Sequence, residues 1–122
     1  MINSENNSTE QLAETIIHAV QDKKAEKVIS LDLSKIPNAV CSRFVVCHGN
    51  SKTQVDAIAD EAIRKVKTET GEKPWHTEGY ENAEWILIDY VDVVLHIFRK
   101  EVRDFYKLED LWADADITRY EE

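Results

Sequence analysis

The 122-residue sequence holds only three glycines, two prolines and two cysteines, and one stretch of it has no base at all. Neither a Walker loop nor a dinucleotide-binding glycine pattern is present. Cys41 and Cys47 cannot build a disulfide framework, and six residues apart with no companion pair they do not match zinc-ligand spacing. Both are expected as small core residues of a protein kept in a reducing cytoplasm. No apolar run approaches membrane-spanning length. The polar start, Met1 to Asn7, lacks the basic and apolar regions of a signal peptide.

What is present is acid. Twenty-four Asp and Glu against fifteen Lys and Arg give a net charge of −9. Such a chain repels phosphate backbones and anionic membranes, which argues against DNA binding or a generic RNA-coating role. Hydrophobic residues make up 43%, enough for an ordinary core, so a disordered acidic tail is excluded. The charge is uneven: residues 1–71 hold ten acids and nine bases, residues 72–122 fourteen acids and six bases. Between Lys73 and Arg99 lie Glu78, Glu81, Glu84, Asp89 and Asp92, interleaved with Trp75, Tyr80, Trp85 and Tyr90. One reading is a solvated sheet edge with its aromatics inside. The other is an acidic, aromatic docking face for a basic partner, aromatics giving contact area and carboxylates selectivity.

Helices and strands alternate, so the sequence predicts one α/β domain. A leader over 1–8 is expected to be flexible, the domain to span 9–115, and 116–122 to be a charged tail. Ser8-Thr9-Glu10-Gln11 reads as a capping box before a helix over 9–23, with Leu12, Ile16, Ala19 and Val20 at helical spacing. Strands are expected at 28–33 and 44–47. Ser51 to Gln54 forms a second capping box, with Val55, Ile58, Ala59, Ala62 and Val66 on one helical face and Gly71 at its end. Gly49-Asn50-Ser51 before that helix suits an anion or a plain cap, and the cap is favoured. Trp85 to Phe98 reads as a hairpin folded at Asp89 to Asp92, pairing Ile88 with Val93 and Ile86 with Leu95. Its other face would pair Trp85 with His96, Leu87 with Val94 and Asp89 with Asp92, the last at a cost. Short helices at 100–106 and 108–113 would be anchored by Phe105, Tyr106, Leu108, Leu111 and Trp112.

No catalytic set emerges. Asp114-Ala115-Asp116 is expected off any strand, and Cys47 and His48 would leave a strand on opposite faces. No histidine pair has metal-ligand spacing, so neither a metal nor another cofactor is expected.

The chain resembles the Iojap-like ribosomal silencing factor family over residues 12–115. The resemblance rests on Lys24-Ala25-Glu26-Lys27-Val28, on Phe44 to Ser51 with Gln54-Val55 and Ala57-Ile58-Ala59, on Glu84 to Phe98, and on Val102 to Trp112. It implies a single α/β domain, a mixed β-sheet flanked by helices with a nucleotidyltransferase-like fold that lacks the catalytic carboxylates. It further implies a non-enzymatic cytoplasmic protein that binds the large ribosomal subunit through its fourteenth protein. There it would block joining of the small subunit and repress translation, with ribosomal RNA only peripheral, and it would form a homodimer when free. Carried onto this chain, Trp85, Asp89, Asp92 and His96 match the hairpin motif as partner-binding residues, with Gly79, Tyr80, Glu81 and Glu84 beside them. Two departures stand out: Ser42-Arg43 replaces the family's usual Asp-Tyr, and Val91 replaces a turn glycine. A β-branched residue tolerates positive φ badly, so a turn other than the tight primed type is expected. The alternatives are a divergent nucleotidyltransferase-like enzyme and an acidic adaptor for another basic protein.

Overall fold

The computed structural model describes residues 4–120, with side chains from Ser8 onward. Ten elements follow one another along the described residues: α1 (Ser4–Asp22), β1 (Glu26–Asp32), β2 (Arg43–Gly49), α2 (Lys52–Thr70), β3 (His76–Glu78), β4 (Trp85–Asp89), β5 (Val93–Arg99), α3 (Lys100–Tyr106), α4 (Leu108–Leu111) and β6 (Asp116–Arg119). The six strands form one sheet in the order β3-β4-β5-β2-β1-β6. Only β2 and β5 run parallel; the other pairs are antiparallel, so the sheet is mixed.

Strand alternation sends side chains to two cores. Val45, Cys47, Ile86, Ile88, Leu95 and Ile97 enter the larger one, where α1 and α2 cover them. Ile29, Leu31, Phe44, Val46, Val94 and Phe98 enter the second, with Leu108 and Ala115 over them. The α2 expectation holds except for half of its capping box, since the Gln54 side chain accepts the Asn50 N–H and not that of Ser51. Ser51 caps the helix by accepting the Gln54 N–H, the five named apolar residues are buried, and Gly71 (φ 80°) closes it through Lys67 O.

Four expectations are corrected. First, α1 begins at Ser4, so Ser8 lies inside a helix and does not cap it; of the leader, residues 1–3 lie outside the described residues. The buried run from Leu12 to Val20 holds the helix against the sheet, and packing of this kind extends a helix past a local cap signal.

Second, the tail supplies β6, which pairs antiparallel with β1 and places Asp116 on a strand. Tyr120 donates its N–H to Val28 O, and its hydroxyl lies 3.1 Å from Ser30 Oγ. β6 covers the outer edge of β1, a need invisible in the tail's own composition. Glu121 and Glu122 lie outside the described residues.

Third, the hairpin pairs Ile88 with Leu95, Ile86 with Ile97, Leu87 with His96 and Trp85 with Phe98. The turn sits one residue later than expected, closed by Tyr90 N–H on Val93 O, so each side chain keeps its face. This register takes Asp89 from opposite Asp92 to opposite Val94 and buries Tyr90. Like charges facing across a pair are thereby avoided. The connection is nevertheless tight: Val91 takes φ 77° while Asp92 N–H bonds Tyr90 O, the pattern of the strained γ-turn.

Fourth, Phe105, Tyr106 and Leu111 are not core anchors. They are 78%, 51% and 74% exposed.

Candidate docking face

Trp85, His96, Phe98 and Phe44 share the second face of the sheet, and their rings form a continuous path from core to solvent. Phe44 meets His96 edge-on at 4.5 Å between centroids. Trp85 lies 4.7 Å from Phe98 and 5.1 Å from Tyr106, and Tyr106 meets Phe105 edge-on at 5.1 Å. Trp85 is half-buried and fixed from beneath, since its Nε1–H donates to His96 Nδ1 at 3.0 Å across the β4–β5 diagonal. Accepting at Nδ1 keeps the His96 proton on Nε2, which is buried without a partner. Burial drives the His96 pKa down to about 4, so the ring stays a neutral acceptor at physiological pH.

The carboxylates stand around this path. Asp89 is half-buried and its Oδ1 accepts the Val91 N–H at 2.7 Å. Asp92 is exposed at the hairpin tip, while its carbonyl takes the N–H groups of Ser42 and Arg43. These bonds tie the tip to β2 through main-chain N–H groups, so they do not depend on the departure at Ser42-Arg43. Glu81 and Glu84 are exposed in the connection before β4 and, with Glu78, Tyr80 and Trp85, line a cleft of about 520 Å³. Gly79 is required there: at φ 92° a Cβ would stand 2.0 Å from Trp85 O. Tyr80 packs toward the α1–α2 core, where burial first, then Asp60 and Asp56, raise its hydroxyl pKa to about 12.

The structure therefore brings Trp85 and His96 into contact, sets Asp89 and Asp92 at the tip, and spreads Tyr80, Glu81 and Glu84 along the adjoining cleft. Sequence reasoning missed Phe105, Tyr106 and Leu111 as surface residues. The reason appears only in the fold: the one buried residue of α3 is Arg103, and Phe105 lies about 200° around the helix from it.

Arg103 holds that phase. Its Nη1 donates to Lys27 O at 2.9 Å and His48 Nδ1 at 3.0 Å, while Nε and Nη2 donate to Glu109 Oε2. Desolvation first, then the Arg103 charge, lowers the His48 pKa, so this histidine also stays neutral. Cys47 points to the other face, and burial pushes its thiol up to about 12, far from a nucleophilic thiolate.

At the β2–α2 turn, Gln54 occupies the position an anion would need. Its Oε1 accepts the Asn50 N–H, its Nε2 donates to Lys23 O and Lys24 O, and it packs 3.2 Å from any Cβ placed on Gly49. Among the described residues no group of three or more His, Cys, Asp or Glu is placed to hold a metal ion.

A family model described as "Ribosomal silencing factor during starvation" matches residues 6–122. The chain belongs to this family. It is 46% identical over 114 residues to a ribosomal silencing factor of Halalkalibacterium halodurans, covering 93% of this chain and 96% of that one. A ribosomal silencing factor of Bacillus subtilis is 44% identical over 100 residues, covering 82% and 83% of the two chains. A crystal structure of a protein from Chromobacterium violaceum superposes with a TM-score of 0.80 at 36% identity over 85% of each chain. The α/β fold with its mixed sheet is thus the fold of this family.

Proposed function

We propose that the chain is a non-enzymatic ribosomal silencing factor of the cytoplasm. It docks on the fourteenth protein of the large ribosomal subunit and occupies surface that the small subunit needs, so that joining fails and translation falls. The observation that carries this reading is the aromatic path from Phe44 through Trp85 to the exposed Phe105, rimmed by Asp89, Asp92, Glu81 and Glu84. Rigid aromatics held from below supply contact area at little entropic cost, and the carboxylates around them speed encounter with a basic protein. Names borne by relatives at 46% and 44% identity support the ribosome as the target. When free, the protein pairs with a second copy of itself.

Sedimentation of the chain with purified large subunits tests the reading. Trp85→Ala is expected to weaken binding by at least ~2 kcal/mol and to relieve inhibition of subunit joining in parallel. Full binding and undiminished inhibition by that variant would remove Trp85 from the contact.

A further inference from the structure

The acidic balance of the chain has one local reversal. Between α3–α4 and the β2-β1-β6 end of the sheet lies a cleft of about 420 Å³ lined by Lys27, Lys100, Arg103, Lys107 and Arg119, with His48 at its floor. Four of the six bases in the acidic second half of the sequence converge here. Three acids share the lining, and two are already engaged: Asp104 by Lys100 at 3.3 Å and Glu109 by Arg103 at 3.2 Å. That leaves Asp110 against Lys107 and Arg119, neither of which makes an ion pair among the described residues. The floor is pre-built, for the Arg103 guanidinium is buried and locked on both sides.

We propose that this cleft holds a backbone phosphate of an RNA strand. Lys and Arg supply the point charge and the planar fork that phosphate oxygens accept. The one ring in the lining is His48, buried at 2% exposure and so closed to stacking, and no Phe, Tyr or Trp lines the cleft, so the contact reads charge without sequence. The net charge of −9 does not oppose this, because charges beyond about 8 Å are largely screened at physiological salt. The choice of RNA over a free phosphate rests on the ribosome-docking reading. Lys107 directly follows Tyr106, so a strand in the cleft would border a partner seated on the aromatic face.

The test is fluorescence anisotropy of a labelled short oligouridine with the full chain, from low to physiological salt. Lys107 sits at φ 50°, so Lys107→Asn, which tolerates that conformation, is combined with Arg119→Gln. Binding that weakens with salt, and that the double variant weakens at least about fivefold at unchanged melting temperature, is the expected result. A Lys52→Gln/Lys73→Gln control, remote from the cleft, should bind as the parent does. Absence of oligouridine binding, or equal binding by the double variant, overturns the proposal. Tighter binding of ATP or inorganic phosphate in the same cleft replaces RNA by a free phosphate and overturns it too. No ribosome enters this assay, so its failure leaves the docking reading standing, and failure of Trp85→Ala to affect subunit binding leaves the cleft standing.

Discussion

Under α1 and α2 the sheet buries Val45, Ile86, Ile88, Leu95 and Ile97 completely, whereas under α3 and α4 it leaves Trp85 and Leu87 half-covered and Phe105 outside. Helix length accounts for the difference. Two 19-residue helices, each about 28 Å long, pack side by side on the first face and between them touch β1, β2, β4 and β5. The seven and four residues of α3 and α4 reach about 10 Å and 6 Å, so they roof only part of the second face. Covered aliphatics make stability, and uncovered aromatics remain available for a partner.

The sharpest way to break this contrast is one truncation on each face. Ile97→Ala, at a fully buried position, should cost about 3–4 kcal/mol in urea unfolding. Phe105→Ala should stay within about 0.5 kcal/mol in the same measurement yet weaken large-subunit binding. Equal destabilisation by the two would show that the second face is as closed as the first.

The next effect concerns pH. The folded-state pKa of His96 lies near 4, below its ordinary 6.5. The unfolded chain therefore takes up a proton between these values that the folded chain refuses. Stability held by neutral His96 is whole above about pH 6.5 and is lost as pH falls toward 4, by about 3 kcal/mol. His48 shifts in the same direction. In His96→Asn the amide oxygen can still accept from Trp85. Unfolding at pH 5 and pH 7 should then differ less than in the parent, and an unchanged difference would take His96 out of the pH response.

The smallest effect is at the hairpin tip, where Val91 holds φ 77°. Val91→Gly relieves that strain against its own chain entropy and should stabilise by about 1 kcal/mol. A rise in melting temperature without change in subunit binding is expected; a fall would mean that the exposed Val91 side chain packs after all.

Much of the second face could be read from the sequence. The alternation assigned Trp85 to Asp89 and Val93 to His96 to their correct faces, although the turn was placed one residue early. Parity alone fixes faces, but register depends on where the chain reverses, and Val91 in a γ-turn goes against local preference. The contact of Trp85 with His96 was legible from their shared face, although they meet on the diagonal and not as the cross-strand pair expected. The exposure of Phe105 and Tyr106 was not, because apolar residues in a short helix read as anchors until a buried arginine on the opposite side shows which way the helix is turned.

By itself, then, the sequence determined the alternation of elements, the caps of α2, the aliphatic face of the hairpin and the base-free acidic stretch, all properties of neighbours along the chain. Only the tertiary structure decided that Arg103 would be buried and Phe105 left out, that the charged tail would close the sheet as β6, and that Lys100, Arg103, Lys107 and Arg119 would meet across one cleft. Those outcomes depend on contacts between residues up to 90 positions apart, such as Ser30 with Tyr120, for which no local pattern carries a signal.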